Sequence, residues 1–173
     1  MVTALVAALL GGGSMLPEKG IAASDLPAIF VSACLDGEAK LTPTEALSIT
    51  YNDLPKTLRK RIRKPASSQI WRLNVPGRAF LYVMEYPPGR KTNPRVCGLA
   101  SDEMNYSEAI ELVERRVTGD AHSETGRSMQ WIDPKGGYVA TATTAGEFKI
   151  LQTDLLSDAQ KAALTKHYRT MPR

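Results

Sequence analysis

The sequence predicts an α+β fold in which a single antiparallel sheet of five to six strands is covered by helices. Apolar residues recur at helical spacing in some segments, whereas others are short runs of β-branched and aromatic residues. The strand-like runs fall into two groups with short turns inside each group, which indicates two meanders rather than alternating βαβ units.

Composition is typical of one ordinary globular domain. The chain has 173 residues, of which 43% are hydrophobic and 23% charged. These fractions argue against a disordered chain and against a membrane-embedded body. The net charge of +4 is mild, and it falls short of the dense Lys and Arg usage of a dedicated nucleic-acid binder.

A signal peptide is expected at residues 1–22, followed by one domain at 23–173. The stretch from Val2 to Leu10 is almost wholly apolar, and Gly20-Ile21-Ala22 offers small residues at positions −3 and −1 of a cleavage site. No Lys or Arg precedes the apolar stretch, and an N-terminal core helix is the alternative. A membrane anchor is disfavoured because the run is about half of the roughly 20 residues that cross a bilayer. The protein is therefore expected to be periplasmic or secreted.

Cys34 and Cys97 are the two cysteines of the chain. Exported proteins meet an oxidising environment, so these residues are expected to form a disulfide. A loop of 63 residues closed in this way gains about 4 kcal/mol of stability from the restricted unfolded chain. Two independent buried thiols are the alternative.

Helices are predicted from their capping residues and apolar spacing. Thr42-Pro43-Thr44-Glu45 has the form of a capping box, and similar boxes stand at Asn105 to Glu108 and at Ser157 to Gln160. Asp36-Gly37 should end the first helix, and Asn52-Asp53 should cap the third. The predicted helices span 25–35, 42–50, 54–64, 105–117 and 157–169.

Strands are predicted where β-branched and aromatic runs lie between turn residues. Pro76-Gly77 should connect a hairpin, and Ala145-Gly146 should connect another. Residues 118–127 are polar and contain glycine, which predicts a loop. The predicted strands span 69–75, 79–86, 95–100, 128–132, 137–144 and 148–153. The order of these helices and strands resembles profilin-like sheets in pattern only, and this likeness implies no function.

Three segments of the chain resemble a group of uncharacterised exported proteins of α-proteobacteria. They are FVSACLDGEAKLTPTEA at 30–46, RVCGLAS at 95–101 and GYVATAT at 137–143. The resemblance covers most of the expected mature chain. It is in keeping with export, and it implies no activity, cofactor or catalytic residue.

Catalytic and metal-binding patterns are weak in this sequence. The soft metal ligands are His122, His167 and the two cysteines, and no two of them stand at the short spacing of zinc motifs. There is no G-x-S-x-G motif and no phosphate-binding loop outside the leader. We therefore assign no catalytic residue, no metal and no cofactor, and a small exported enzyme with an unrecognised site stays as an alternative.

A basic segment is the most distinctive feature of the sequence. Its predicted helix carries a narrow apolar stripe of Leu54, Leu58 and Ile62. The cations outside this stripe are Lys56, Arg59, Lys60, Arg61, Arg63 and Lys64. Arg90 and Lys91, and also Arg95, lie in a following basic stretch and could extend the positive surface.

The basic segment predicts a non-enzymatic exported interaction module. Its partner would be an acidic protein, a polyanion or an anionic lipid surface. Sequence-specific nucleic-acid binding is not expected, because no groove-reading motif is recognisable. The alternatives are a merely solvated helix face and an exported inhibitor of a hydrolase.

Overall fold

A computed structural model describes residues 20–37, 41, 45–87, 94–117, 121–123, 128–133 and 136–162. Within these residues the chain forms one antiparallel sheet with helices on both faces. The predicted α+β class with a single sheet is confirmed. The sheet has eight strands in the described residues, which exceeds the predicted five to six.

The helices are short. A helical segment from Ala23 to Asp36 combines a 3-10 turn at Ala23–Asp25, the α-helix α1 at Leu26–Phe30 and a π-helical stretch at Val31–Asp36. A 3-10 turn at Tyr51–Asp53 precedes α2 at Lys56–Arg61, and α3 spans Tyr106–Arg116. A further helix begins at 158 and is described as far as residue 162.

The strands are β1 (Ala46–Ile49), β2 (Ser67–Leu73), β3 (Ala79–Glu85), β4 (Arg95–Ser101), β5 (Ala121–Ser123), β6 (Met129–Asp133), β7 (Tyr138–Ala145) and β8 (Phe148–Leu155). Their order across the sheet is β1-β2-β3-β4-β8-β7-β6-β5. The two predicted meanders are thus present, and they meet where β4 pairs with β8. In that pairing Cys97 lies opposite Thr153 and Gly98 opposite Gln152.

The prediction of a helix over 42–50 is wrong where the structure describes it. Residues 46–49 form the edge strand β1, in which Ile49 lies opposite Ile70 of β2. Thr50 and Asp53 then form a capping box that starts a 3-10 turn. Pairing with β2 satisfies the backbone of 46–49, so the long-range contact overrides the local helix signal. Residues 42–44 of the predicted box lie outside the described residues.

The predicted loop at 118–127 also contains a strand. Ala121–Ser123 pair with β6 as the short edge strand β5. A strand of three residues is too short to be recognised from the sequence, because the alternation of apolar and polar residues needs about four residues to be seen. The remaining predicted strands correspond to β2, β3, β4, β6, β7 and β8 within a few residues.

Several predicted helix ends are confirmed. Gly37 adopts the left-handed φ of 71° and ends the first helical segment. The Asn105 side chain accepts hydrogen bonds from the backbone N–H groups of Ser107 and Glu108 at the start of α3. Ser157 and Gln160 form a reciprocal capping box, with N–H to oxygen distances of 2.8 and 3.3 Å.

The sheet buries apolar side chains on both faces. On one face α1 and α3 cover a core that includes Leu26, Phe30, Leu99 and Trp131. On the other face the segment around α2 covers a second core. Because side chains alternate along a strand, Cys97 and Leu99 of β4 point to the first core, whereas Val96 and Ala100 point to the second.

Cys34 and Cys97 lie at disulfide-bonding distance, with their Cα atoms 5.4 Å apart. This confirms the predicted pairing and attaches the first helical segment to β4, one of the two central strands of the sheet. No helix among the described residues has the length and apolar character that crossing a bilayer requires.

Candidate functional site

The predicted basic surface lies on the α2 side of the sheet. We call residues 56–64 the basic segment. All six of its cations are exposed: Lys56, Arg59, Lys60, Arg61, Arg63 and Lys64. The helical part is shorter than predicted, since α2 ends at Arg61 and Ile62 has an extended backbone with φ of −94° and ψ of 115°. Arg63 and Lys64 therefore lie in the stretch that leads into β2.

Three buried aliphatic residues fix the orientation of this segment. The side chains of Leu54, Leu58 and Ile62 are almost completely buried, and they pack in the second core with strand residues that include Tyr82 and Met84. The predicted apolar stripe is thus confirmed. Because the stripe faces the sheet, the six cations of the segment face outward.

Two tyrosine hydroxyls hold the carbonyl groups at the end of the segment. The Tyr51 hydroxyl donates to the carbonyl oxygens of Arg59 and Ile62 at 3.1 and 2.8 Å. The Tyr86 hydroxyl donates to the carbonyl oxygen of Arg63 at 2.8 Å. Burial, together with the nearby Tyr51 and Asp154, raises the pKa of Tyr86 to about 12. A tyrosine with the ordinary pKa of 10.0 is already protonated at neutral pH, and the raised pKa extends the pH range over which the Tyr86 hydroxyl can donate.

The start of the segment differs from the prediction. Asn52 and Asp53 do not cap α2, whose N-cap position is Pro55. The Asp53 carboxylate instead accepts hydrogen bonds from the side chain and backbone N–H of Thr50 at 2.7 and 2.8 Å, and these bonds lower the pKa of Asp53. Asp53 is thus engaged with the preceding turn, upstream of the six cations.

Gly146 lets α2 approach the turn between β7 and β8. A Cβ added at Gly146 would lie 3.0 Å from the Thr57 methyl carbon, and Gly146 has a φ of 59° that favours glycine. The segment therefore lies against this turn as well as against the sheet.

None of the six cations forms an ion pair with another residue that the structure describes. The ion pairs of the described chain lie elsewhere. Arg78 binds Asp102 at 2.7 Å and Glu147 at 3.1 Å, and Arg116 binds Asp36. The positive field of the basic segment is therefore not cancelled by direct pairing with described carboxylates.

The other predicted cations contribute differently. Arg90 and Lys91 lie outside the described residues. The Arg95 side chain lies on the same face of the sheet as Cys97, because side chains alternate along a strand. The apolar stripe of the basic segment packs on the opposite face, so Arg95 and this segment belong to different faces of the sheet.

A groove lies beside the disulfide on that opposite face. It has a volume of about 320 Å³ and is lined by residues that include both cysteines, Asp36, Arg95 and Tyr138. Burial, together with Asp133, raises the pKa of Tyr138 to about 12. This shift moves the tyrosine away from the neutral range in which general acid–base groups work.

The part of the chain that the structure describes shows no cluster of side chains suited to metal binding. No cluster of three or more His, Cys, Asp or Glu side chains that could hold a metal ion occurs among the described residues. The side chains of His122 and His167 lie outside the description. The basic segment is therefore the feature of the described surface that is most clearly organised.

The tyrosine contacts were not foreseen from the sequence. Tyr51 and Tyr86 are far in sequence from most of the carbonyls that they bind, so no local pattern marks them. Comparison with known proteins adds no further guidance, since no family model, curated protein or solved structure matches this chain. A proposal about function must therefore be built on the chain's own geometry.

Proposed function

We propose that this protein is a non-enzymatic exported interaction module whose basic segment binds a polyanion. One observation carries the proposal: six cations are exposed on a segment whose apolar residues are buried and whose carbonyl groups are held by tyrosine hydroxyls. A surface that is already ordered loses less conformational entropy on binding than a mobile tail does.

The spread of the cations favours a ligand with several negative charges. The helical part rises about 1.5 Å per residue and the extended part about 3.3 Å per residue. The backbone path from Lys56 to Lys64 is therefore on the order of 15–20 Å long. A single small anion would meet a few of these cations, whereas an extended polyanion would meet most of them.

Insertion into a lipid bilayer fits the segment less well. The large apolar side chains of the segment are Leu58 and Ile62, and both are buried in the protein core, as is Leu54 just before the segment. The exposed large hydrophobic residues of the described chain are Leu47, 66% exposed, and Leu155, 40% exposed, which lie on β1 and β8. Membrane-surface helices need outward apolar side chains, so electrostatic contact is the better-supported mode.

Export is supported by the paired cysteines. Disulfides persist in the periplasm and outside the cell, and they are rare in a reducing cytosol. We include in the proposal a leader at the N-terminus, a periplasmic or secreted location and a relationship to exported α-proteobacterial proteins.

Binding to a sulfated polysaccharide at several salt concentrations tests the proposal. Exposed charges attract over roughly 8–10 Å at physiological salt, so affinity should fall steeply as salt rises. An Arg59→Glu/Arg63→Glu variant should bind at least about tenfold more weakly at low salt, which corresponds to about 1.4 kcal/mol. Anionic vesicles and an acidic protein serve as competing ligands in the same assay.

The matched control is an Arg95→Glu/Arg115→Glu variant. It carries the same change in net charge, and both of its arginines are exposed outside the basic segment. We expect the control to keep most of the wild-type affinity. Equal losses of affinity in the two variants would show that net charge alone determines binding. Unchanged affinity in both would overturn the proposal and show that the basic segment is only a solvated surface. Tighter binding to the vesicles or to the acidic protein would overturn the polyanion as the partner and assign that ligand class instead.

A further inference from the structure

We infer that the exported protein retains Gly20 and Ile21, so that its leader is removed before Gly20 rather than after Ala22. This inference rests on the proposed export. It concerns the position of the processing site, which the structure bears on because residues 20–22 are described.

Ile21 is part of the folded core. Its side chain is 8% exposed and belongs to the same cluster as Leu26, Phe30 and Leu73. Its backbone N–H donates to the carbonyl oxygen of Asn74 at 2.8 Å, directly after the end of β2. A cut after Ala22 would remove both the buried side chain and this hydrogen bond.

Gly20 also lies close to the domain. A Cβ added at Gly20 would lie 2.9 Å from the carbonyl oxygen of Asn74, so the backbone approaches too closely for a larger residue. The backbone N–H of Asn74 in turn donates to the carbonyl oxygen of Glu45 at 2.8 Å. Asn74 thus joins residues 20–21 to the chain that enters β1.

A cut after Ala22 would also place a charge unfavourably. Ala23 is the first residue of the helical segment that runs to Asp36. A new α-ammonium group at Ala23 would stand at the positive end of the helix dipole, where cations are destabilising. Cleavage further upstream leaves this position as an uncharged peptide bond.

The sequence offers an upstream bond with suitable neighbours. Gly12 and Ser14 occupy positions −3 and −1 relative to the Ser14–Met15 bond, shortly after the apolar stretch ends at Leu10. Small residues at these two positions, just beyond the apolar region, are what signal peptide cleavage requires. By contrast, Pro17, Glu18 and Lys19 separate the apolar stretch from the Ala22–Ala23 bond.

N-terminal sequencing and intact mass of the full chain, expressed with a C-terminal tag and recovered from the periplasm, locate the cut. We expect the exported protein to begin at or before Gly20. A start at Ala23 would overturn the inference while leaving export intact. Intact Met1 protein confined to the cytoplasm would overturn the proposed export itself.

One substitution gives an independent readout. Ala22→Tyr places a bulky side chain next to the Ala22–Ala23 bond, and Ala22 is exposed in the folded domain. This variant should therefore be processed normally if the cut lies before Gly20, and blocked processing would place the cut after Ala22.

Ile21→Ala tests retention through stability. If Ile21 is retained, the exported variant should differ from the wild type in mass and should unfold at a lower temperature. If the cut falls after Ala22, the two exported proteins should be identical in both measurements, and the inference is overturned.

Discussion

The ring of Tyr82 lies directly over Gly98, its cross-strand neighbour in the pairing of β3 with β4. A Cβ at position 98 would lie 2.4 Å from both the ring Cζ and the hydroxyl oxygen. The Tyr82 hydroxyl then donates to the side-chain oxygen of Gln152 on β8 at 3.1 Å. One buried side chain thus crosses β4 and connects the two meanders.

Gly98→Ala should destabilise the protein by about 1–3 kcal/mol, because the new methyl group overpacks a buried rigid ring. Urea unfolding of the oxidised protein measures the loss. In a Tyr82→Leu background the same glycine substitution should cost clearly less, since the ring is gone. Additive losses in the double variant would show that the Tyr82 ring is not the cause.

Replacing both cysteines by alanine should lower the free energy of unfolding by about 4 kcal/mol, because a loop of 63 residues is no longer closed in the unfolded chain. Urea unfolding of wild type and of Cys34→Ala/Cys97→Ala measures this difference. Thiol titration of the denatured, unreduced wild type should find almost no free thiol. Two free thiols, or equal stabilities, would contradict the prediction.

Leu58→Ala should cost about 2–5 kcal/mol, because Leu58 is fully buried beneath α2 and its truncation leaves a cavity. Lys60→Ala is the matched control on the outer side of the same helix, and it should change stability by less than about 0.5 kcal/mol. Thermal or urea unfolding distinguishes the two. Similar losses for both variants would mean that α2 is not held to the sheet by its apolar side.

The free energy of unfolding should fall at acid pH, in part because Asp102 becomes protonated. Burial raises the pKa of Asp102, but hydrogen bonds from the backbone and guanidinium of Arg78 outweigh it, so the pKa lies below its ordinary value of 3.8. A carboxylate with a lowered pKa in the folded state stabilises above the unfolded pKa. This contribution should therefore be lost as pH falls below about 4, through the folded-state pKa.

An Asp102→Asn variant should show a weaker dependence of stability on pH in this acid range. Urea midpoints between pH 2 and pH 6 measure the dependence. Glu103→Gln, an exposed neighbour, is the control and should keep the wild-type profile. Identical profiles for wild type and Asp102→Asn would show that the pair with Arg78 does not couple folding to protons.

The sequence predicts well those elements whose signals are local. The helix at Tyr106–Arg116 has a cap at Asn105 and an apolar face, and the hairpin of β2 and β3 has a turn pair at Pro76-Gly77. By contrast, β1 exists because residues 46–49 pair with β2, and this contact spans a chain distance that no local pattern records. The short strand β5 is equally dependent on its neighbour β6.

The candidate site likewise combines features that have a local sequence signal with features that depend on the fold. Exposure of the four cations within α2 follows from the helical spacing of Leu54 and Leu58, which the sequence displays, whereas Arg63 and Lys64 lie in an extended stretch. The hydrogen bonds from Tyr51 and Tyr86 join residues that the fold alone brings together. The face on which Arg95 lies can be predicted from the sequence, because alternation along the strand places Arg95 with Cys97, which is expected to pair. The sequence predicts that Ile21 belongs to a leader, and no local feature reveals that its side chain packs in the core.

Through the pairing of β4 with β8, the two halves of the chain are arranged like the two subunits of a symmetric dimer. In each half a helix precedes four consecutive strands, α1 before β1 to β4 and α3 before β5 to β8. Two antiparallel strands are related by a two-fold rotation, as are the subunits of a symmetric dimer. The halves therefore share one layout, although the sequence shows no internal repeat. The connection between the first two strands is 17 residues long in the first half (50–66) and five residues long in the second half (124–128). The basic segment lies in the longer connection, so the proposed binding surface belongs to a part of the first half that has no counterpart of similar length in the second.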